Sequence, residues 1–356
     1  MTERNVLVVD WSANSKPKTG ADSIWIGDAY GNRVNPSTRV EAIQFLKDLI
    51  SSEDDEQKWL IAFDFSFGVP CKDGREDGGC PVPWWGESTN VQDEPADHWH
   101  SEFWKKVCDG FPKPSSFDDN NKGAELRWRV ANELNKDFQK ELFWGCPEKR
   151  QNDLAFLSSK KGDRGEIEYE KRKTDEEIVG AKSPWQLLGN GSVGSQMLMG
   201  ICHLQRWIVE GRGEISVWPF EESHKRIVFA ETFPSHPNFA DLIEEIHRHC
   251  CGLVKDAVQV TAVARCLQED LDDSENQLFD LSDLSKSDME MASIEGKILP
   301  SKNELSECQK KKLESLKIDE LILGQDQVKW TKLLDSPSEK IKNPPEPRPT
   351  KRTTPD

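Results

Sequence analysis

The run Asn5-Val6-Leu7-Val8-Val9-Asp10 drives four consecutive apolar residues, three of them Val, straight into a carboxylate. Apolar side chains on both faces predict a central strand covered from two sides. An ionised Asp at its end must then meet a cleft, a cation or a donor, because burying it alone is costly. The device recurs at Trp59-Leu60-Ile61-Ala62-Phe63-Asp64 and again at Ile227-Val228-Phe229-Ala230-Glu231. Three strands that each deliver one carboxylate predict an α/β fold with acids gathered along one sheet edge.

The segments between these runs supply the rest of the fold. A Gly/Ser/Asn/Pro/Lys-rich turn from Ser12 to Gly20 joins strand 5–11 to a partner strand at 22–27, close enough for an antiparallel hairpin. Asn35-Pro36-Ser37-Thr38 reads as a turn and cap for a helix carrying Val40, Ile43, Leu46, Leu49 and Ile50 at helical spacing. Regularity fades from 68 to 174, which is expected to be an insertion or lid with helices near 97–107 and 124–143. Beyond it, helix 196–209, a strand at 215–218, strand 227–233 and helices 239–249 and 255–265 are expected. Asp256 stands in the first turn of that last, Ala-rich helix. The main domain is therefore placed at 1–266, with an acidic segment at 267–300 whose apolar return, 289–299, docks on the core. A charged, largely disordered tail is expected at 301–356, with one helix near 304–323.

Charge narrows the partner classes. The chain carries −17 overall; residues 267–300 hold ten Asp/Glu against two Lys, and 301–356 hold ten against twelve Lys/Arg, so the first 266 residues carry −11. A nucleic-acid partner must then be read through a local groove rather than a broad basic face. No charged-then-apolar leader opens the chain and no run approaches about 18 apolar residues, so a soluble, cytoplasmic protein is expected. The nine Cys show no metal-knuckle or disulfide spacing and read as reduced thiols.

Four carboxylates, Asp10, Asp64, Glu231 and Asp256, are candidates for one site. Such a set cannot stay ionised at close range without cations between its members. Hard divalent ions, Mg²⁺ or Mn²⁺, suit oxygen ligands, and two of them about 4 Å apart serve phosphodiester hydrolysis without a nucleophilic side chain.

In this order the pieces resemble the RNase H-like superfamily, and within it a family of uncharacterised, predicted RNase H-like nucleases. The resemblance is carried by Asp10-Trp11-Ser12-Ala13, Ala62-Phe63-Asp64-Phe65, Arg172-Lys173-Thr174-Asp175, the Gly189–Gly194 loop, Val217-Trp218-Pro219-Phe220-Glu221, Ala230-Glu231 with Pro234-Ser235, and Lys255-Asp256-Ala257. The last helix is also similar to the final catalytic helix of Holliday-junction resolvases, although Asp64 stands where those commonly carry Glu. The resemblance covers roughly residues 5–300, apart from the acidic stretch near 268–285. It implies a twisted five-stranded mixed sheet with helices on both faces, and a two-metal site in which Asp10 bridges and Asp64, Glu231 and Asp256 complete the ligand set.

Other features stay open at this level. Gly189-Asn190-Gly191-Ser192-Val193-Gly194 matches a dinucleotide fingerprint but follows no clear strand. It reads as a tight turn, or as a phosphate grip through Gly191 and Ser192 at a helix N-terminus. Lys16, Lys18, Arg172, Lys173 and Lys182 are candidate backbone contacts for a phosphate chain. Trp84, Trp85 and the His98-Trp99-His100-Trp104 cluster are candidates for base stacking or for the insertion's own core, with a zinc role for His98 and His100 a minor option. Two further functions compete with a nuclease: a non-catalytic binding module that recruits protein partners through its tail, and phosphoryl transfer on a small nucleotide.

Overall fold

The computed structural model describes residues 4–70, 99–115, 119–162, 167, 169–211, 213–249, 252–272, 278–279, 285, 289, 292, 295, 297–299, 324 and 326–335. Strands β1 (Arg4–Asp10), β2 (Trp25–Asp28) and β3 (Arg33–Val34) form an antiparallel meander. Its second turn is closed by the Asp28 carboxylate, which accepts the N–H groups of Tyr30 and Asn32 at 2.9 Å each. Helix α1 (Arg39–Ser51) starts at a capping box: Glu41 N–H donates to the Thr38 hydroxyl, and Glu41 accepts from the Thr38 N–H. Strand β4 (Lys58–Phe63) follows, then α2 (Trp99–Asp109), α3 (Arg127–Phe138), α4 (Val193–Glu210), β5 (Ile215–Val217) and β6 (Ile227–Thr232). The described chain ends with α5 (Pro237–His249), α6 (Lys255–Asp272), β7 (Ile298–Leu299) and α7 (Gln327–Asp335).

The strands make one mixed sheet in the order β3-β2-β1-β4-β6-β5, with β7 also paired to β6. All pairings beyond the meander are parallel. Alternation along each strand divides the core into two layers. Leu7, Val9, Ile61, Phe63 and Phe229 point into the layer shared with α1, α2, α3 and α4. Val6, Val8, Leu60, Ala62, Val228 and Ala230 point into the layer under α5 and α6. The small residues of α6 allow a close approach: a Cβ on Gly27 of β2 would stand 2.7 Å from a Val260 methyl carbon.

Three sequence expectations change here. The described part of the 68–174 segment is no separate lid, because Phe103, Trp104, Val107, Trp128 and Leu134 join the same apolar layer as α4. The predicted helix 124–143 is shorter: a 3-10 turn occupies 123–126, and α3 stops where Gln139 turns left-handed at φ 54°. Helix α6 runs through the boundary placed at 266, because Gln268 is buried and fixes β1 by accepting the Val6 N–H (3.1 Å) and donating to the Arg4 carbonyl (3.0 Å).

The apolar return at 289–299 contributes β7, which extends the sheet beside Glu231 and Thr232. In the tail, the helix expected near 304–323 lies outside the described residues, whereas α7 docks against α1 through Trp330 and Phe45, ring centroids 5.3 Å apart. No helix among the described residues is long and apolar enough to cross a membrane.

Candidate active site

The parallel strands all point their carboxyl ends to one edge, and ligands of open α/β sheets characteristically bind there. Strand β1 is paired with β4 so that Val9 lies opposite Phe63, which makes Asp10 and Asp64 the next pair in register. Asp64 N–H donates to the Val9 carbonyl at 3.2 Å, carrying the ladder one step past β4. The flanking Phe63 and Phe65 rings are both packed in the α4-side layer, so Asp64 is turned towards the α6 side. There the Asp10 and Asp64 carboxyl groups meet in hydrogen-bond contact.

That contact requires a proton or a cation between the two groups. Burial and the neighbouring charge of Asp64 push Asp10 far above the usual carboxylate range, and burial pushes Asp64 up to about 7. The Trp11 N–H donates to Asp64 Oδ1 at 2.6 Å, and Gln196 of α4 donates to the Trp11 carbonyl at 2.7 Å. The strand end is thereby tied to both its neighbour and the covering helix. Asp256, at the start of α6, adds negative charge that raises both acids further. Its Oδ2 accepts the Asp22 N–H at 2.7 Å.

Glu231 does not join this group, which corrects its expected role as a metal ligand. It lies opposite Phe63, not Asp64, so it is one residue out of phase with the acid pair. Both of its oxygens are held by Arg172, through Nη1 to Oε2 and Nη2 to Oε1 at 2.6 Å each, and Oε2 also accepts the Phe67 N–H. Arg172 reaches Asp175 through Nε (2.9 Å) and Nη2 (2.7 Å), and its remaining Nη1 hydrogen faces the Glu295 carbonyl at 3.4 Å. All five of its N–H donors are thus occupied. Burial opposes the charge on Arg172, but Asp175 and Glu231 outweigh it and hold its pKa above the ordinary value. A fully buried guanidinium with no free donor cannot hold a substrate phosphate, so that assignment is corrected as well.

A cleft of about 160 Å³ opens at this edge, lined among others by Asp10, Asp64, Lys182, Gln196, Glu231 and Gln259. The chain matches no known protein family, no curated protein and no solved structure.

Among the described residues, no three His, Cys, Asp or Glu side chains stand close enough together to hold a metal ion as a set. The chemistry of the Asp10–Asp64 pair nevertheless fits one hard divalent cation: two like-charged oxygen donors meet, and an ion between them would replace the shared proton. The four-carboxylate, two-metal set does not fit this arrangement, because Glu231 is out of register with the acid pair and both of its oxygens are engaged by Arg172.

The remaining candidates are dispersed. Lys16 and Lys18 are exposed on the 12–20 turn and are not among the residues lining the cleft; Lys18 lies 3.5 Å from Asp22. The Gly189–Gly194 loop is a tight turn in which the N–H groups on its C-terminal side are engaged within the turn. The N–H groups of Val193, Gly194 and Ser195 donate to the carbonyls of Gly191, Gln186 and Ser192. Trp104 is buried, edge-on to Phe67 at 5.3 Å, with its indole N–H on the Phe67 carbonyl; it is core, not a stacking platform. Trp84, Trp85 and His98 lie outside the described residues. Asp175 is the functional neighbour that spacing alone did not single out; its signal was the i, i+3 relation to Arg172.

Proposed function

We propose that this protein is a divalent-metal-dependent phosphodiester hydrolase of RNase H-like type, acting on nucleic acid through Asp10 and Asp64. The observation that carries the reading is the contact between the two carboxyl groups at the ends of adjacent parallel strands, inside a cleft. Two acids raised by burial, Asp10 also by the charge of Asp64, bind a hard cation readily once deprotonated. The strand order, an antiparallel three-strand meander extended by parallel strands, and the Asp256-bearing helix over one face support the superfamily resemblance.

Asp10 and Asp64 would hold Mg²⁺ or Mn²⁺, with Asp256 adding negative charge at the α6 side. When bound, such an ion lowers the pKa of a water and stabilises the oxyanion of the leaving group. The chain's own contribution is rigidity. The Trp11 N–H fixes Asp64, Gln196 fixes Trp11, and Arg172 holds both oxygens of Glu231. The docking of α7 on α1 sets part of the tail against the body and so gives no support to a purely recruiting role.

The test is cleavage of single-stranded, duplex, hybrid and branched oligonucleotides with Mg²⁺ or Mn²⁺, beside Mn²⁺ titration calorimetry. Metal-dependent cleavage and metal binding that both vanish in Asp10→Asn are expected. Cleavage that survives Asp10→Asn overturns the mechanism.

A further inference from the structure

We infer that Lys182 forms the anion subsite of the carboxylate cleft, receiving the phosphate next to the one placed at Asp10 and Asp64; this rests on the phosphodiesterase reading. The cleft is dominated by carboxylates: Asp10, Asp64, Asp175 and Glu231 line it, and Lys182 is the one cation among its described lining residues. Arg172 lies behind it with every donor occupied. Among the described lining residues of the cleft, a polyanionic strand therefore meets a single positive group. Lys182 is exposed and makes no hydrogen bond or ion pair among the described residues, although it shares the cleft lining with four acids.

Its position is built into the fold. On one side the Ala181 N–H donates to the Ile178 carbonyl, and Ala181 is buried. On the other, the Ser183 hydroxyl donates to the Glu170 carbonyl at 2.7 Å, and Trp185 is buried beyond it. The lysine stem lies along Gly191, whose φ is +77°; a Cβ there would stand 2.5 Å from Lys182 Cγ and 3.1 Å from Cδ. The glycine-rich turn thus serves as a platform for the aliphatic stem of a lysine that lines the cleft. This gives the Gly189–Gly194 motif a role through the shape of its turn.

A mobile ammonium on a fixed stem suits a flexible phosphate chain, because it offers a point charge without demanding one geometry. The substrate class it selects is a strand with at least two consecutive phosphates. A lone phosphomonoester would use only the acid-pair end of the cleft.

The experiment is fluorescence anisotropy of a labelled 12-nucleotide single strand, DNA and RNA in parallel, titrated with the full-length protein at several salt concentrations. Ca²⁺ replaces Mg²⁺ so that binding is read without turnover. One phosphate contact on a single strand contributes about 0.7 to the slope of log affinity against log salt. Lys182→Gln is expected to lower that slope by about 0.7 and to weaken binding several-fold at low salt, while Lys182→Arg restores both. Gly191→Ala, which pushes the stem aside, is expected to reproduce the Gln variant at unchanged Lys content. Wild-type binding with the slope unchanged in Lys182→Gln overturns the subsite and leaves the proposed function standing. Failure of the wild type to bind either strand overturns the nucleic-acid substrate together with the subsite.

Discussion

Arg172 grips Glu231 through two nitrogens, each 2.6 Å from a carboxylate oxygen, with both side chains buried. Removing the guanidinium would strand Glu231 and Asp175 as unpaired buried acids. Breaking one partner of a buried pair typically costs about 3–5 kcal/mol. Arg172→Ala is therefore expected to lose about that much stability in urea titration. Arg172→Lys should recover only part of it, since a single ammonium cannot replace the two-sided fork. A loss below about 1 kcal/mol for Arg172→Ala would mean that the ion pair is not formed in solution.

The acid pair gives an opposite result. Asp64 is raised to about 7, so its contribution to stability is present below the ordinary carboxylate range and is lost as pH climbs through about 7. Asn keeps the oxygen that accepts the Trp11 N–H and removes the charge facing Asp10. In chelator-treated buffer, Asp64→Asn should melt several degrees above wild type at pH 8, with the gap closing towards pH 4. A variant less stable than wild type at pH 8 would show that the two carboxyl groups do not meet.

Metal response should follow the same titration. Binding a divalent ion requires both acids deprotonated, so the rise in melting temperature with Mn²⁺ should be small at pH 5.5 and grow through pH 8. Chelation should reverse it. The increment should vanish in Asp10→Asn and Asp64→Asn and persist in Glu231→Gln, whose side chain belongs to the Arg172 cluster. An increment abolished by Glu231→Gln would put Glu231 back among the ligands.

Much of this site was legible in the sequence, and the part that was not follows from register. Four apolar residues ending in Asp10, and five apolar residues ending in Asp64, announced two central strands with acids at one edge. The same pattern at Ile227–Glu231 looked equivalent, yet pairing places Glu231 opposite Phe63 and sends it out of phase. A sequence shows how far each acid lies along its own strand but not which residue of the neighbour it faces. Arg172 is similar: nothing local distinguishes a surface arginine from one whose five donors are all occupied by groups up to 123 positions away. Thr38 and Glu41, by contrast, are a local motif, and the helix start they specify is where the chain puts it.

Helix α4 offers a test of how tightly the site depends on its support. A Cβ at Gly200 would collide with the Phe65 ring, which directly follows Asp64. Overpacking of this kind costs about 1–3 kcal/mol and is relieved by backbone shifts. Gly200→Ala should destabilise by that amount and also weaken Mn²⁺ binding in calorimetry, because relief moves Phe65 and with it Asp64. Unchanged metal affinity in a destabilised variant would mean that the strain is absorbed within α4.

Gln327 accepts the Arg33 N–H at 2.9 Å and donates to the Arg33 carbonyl at 2.6 Å, so one side chain closes the open edge of β3. Trp330 anchors the same helix against Phe45, with Leu333 and Leu334 packed against the α1-side core. An unprotected edge strand is a template for pairing with another chain, and charged or covering segments normally block it. Trp330→Ala should release α7 at a cost of about 2 kcal/mol, less than the roughly 3–5 kcal/mol of a truncated core Trp, because the helix can detach and take up water. Hydrogen exchange should then accelerate at Arg33 and Val34, and trypsin should cut at Lys329 and Lys332, while Mn²⁺ binding at Asp10 and Asp64 stays unchanged. If exchange at β3 does not respond, the edge is protected by something other than α7.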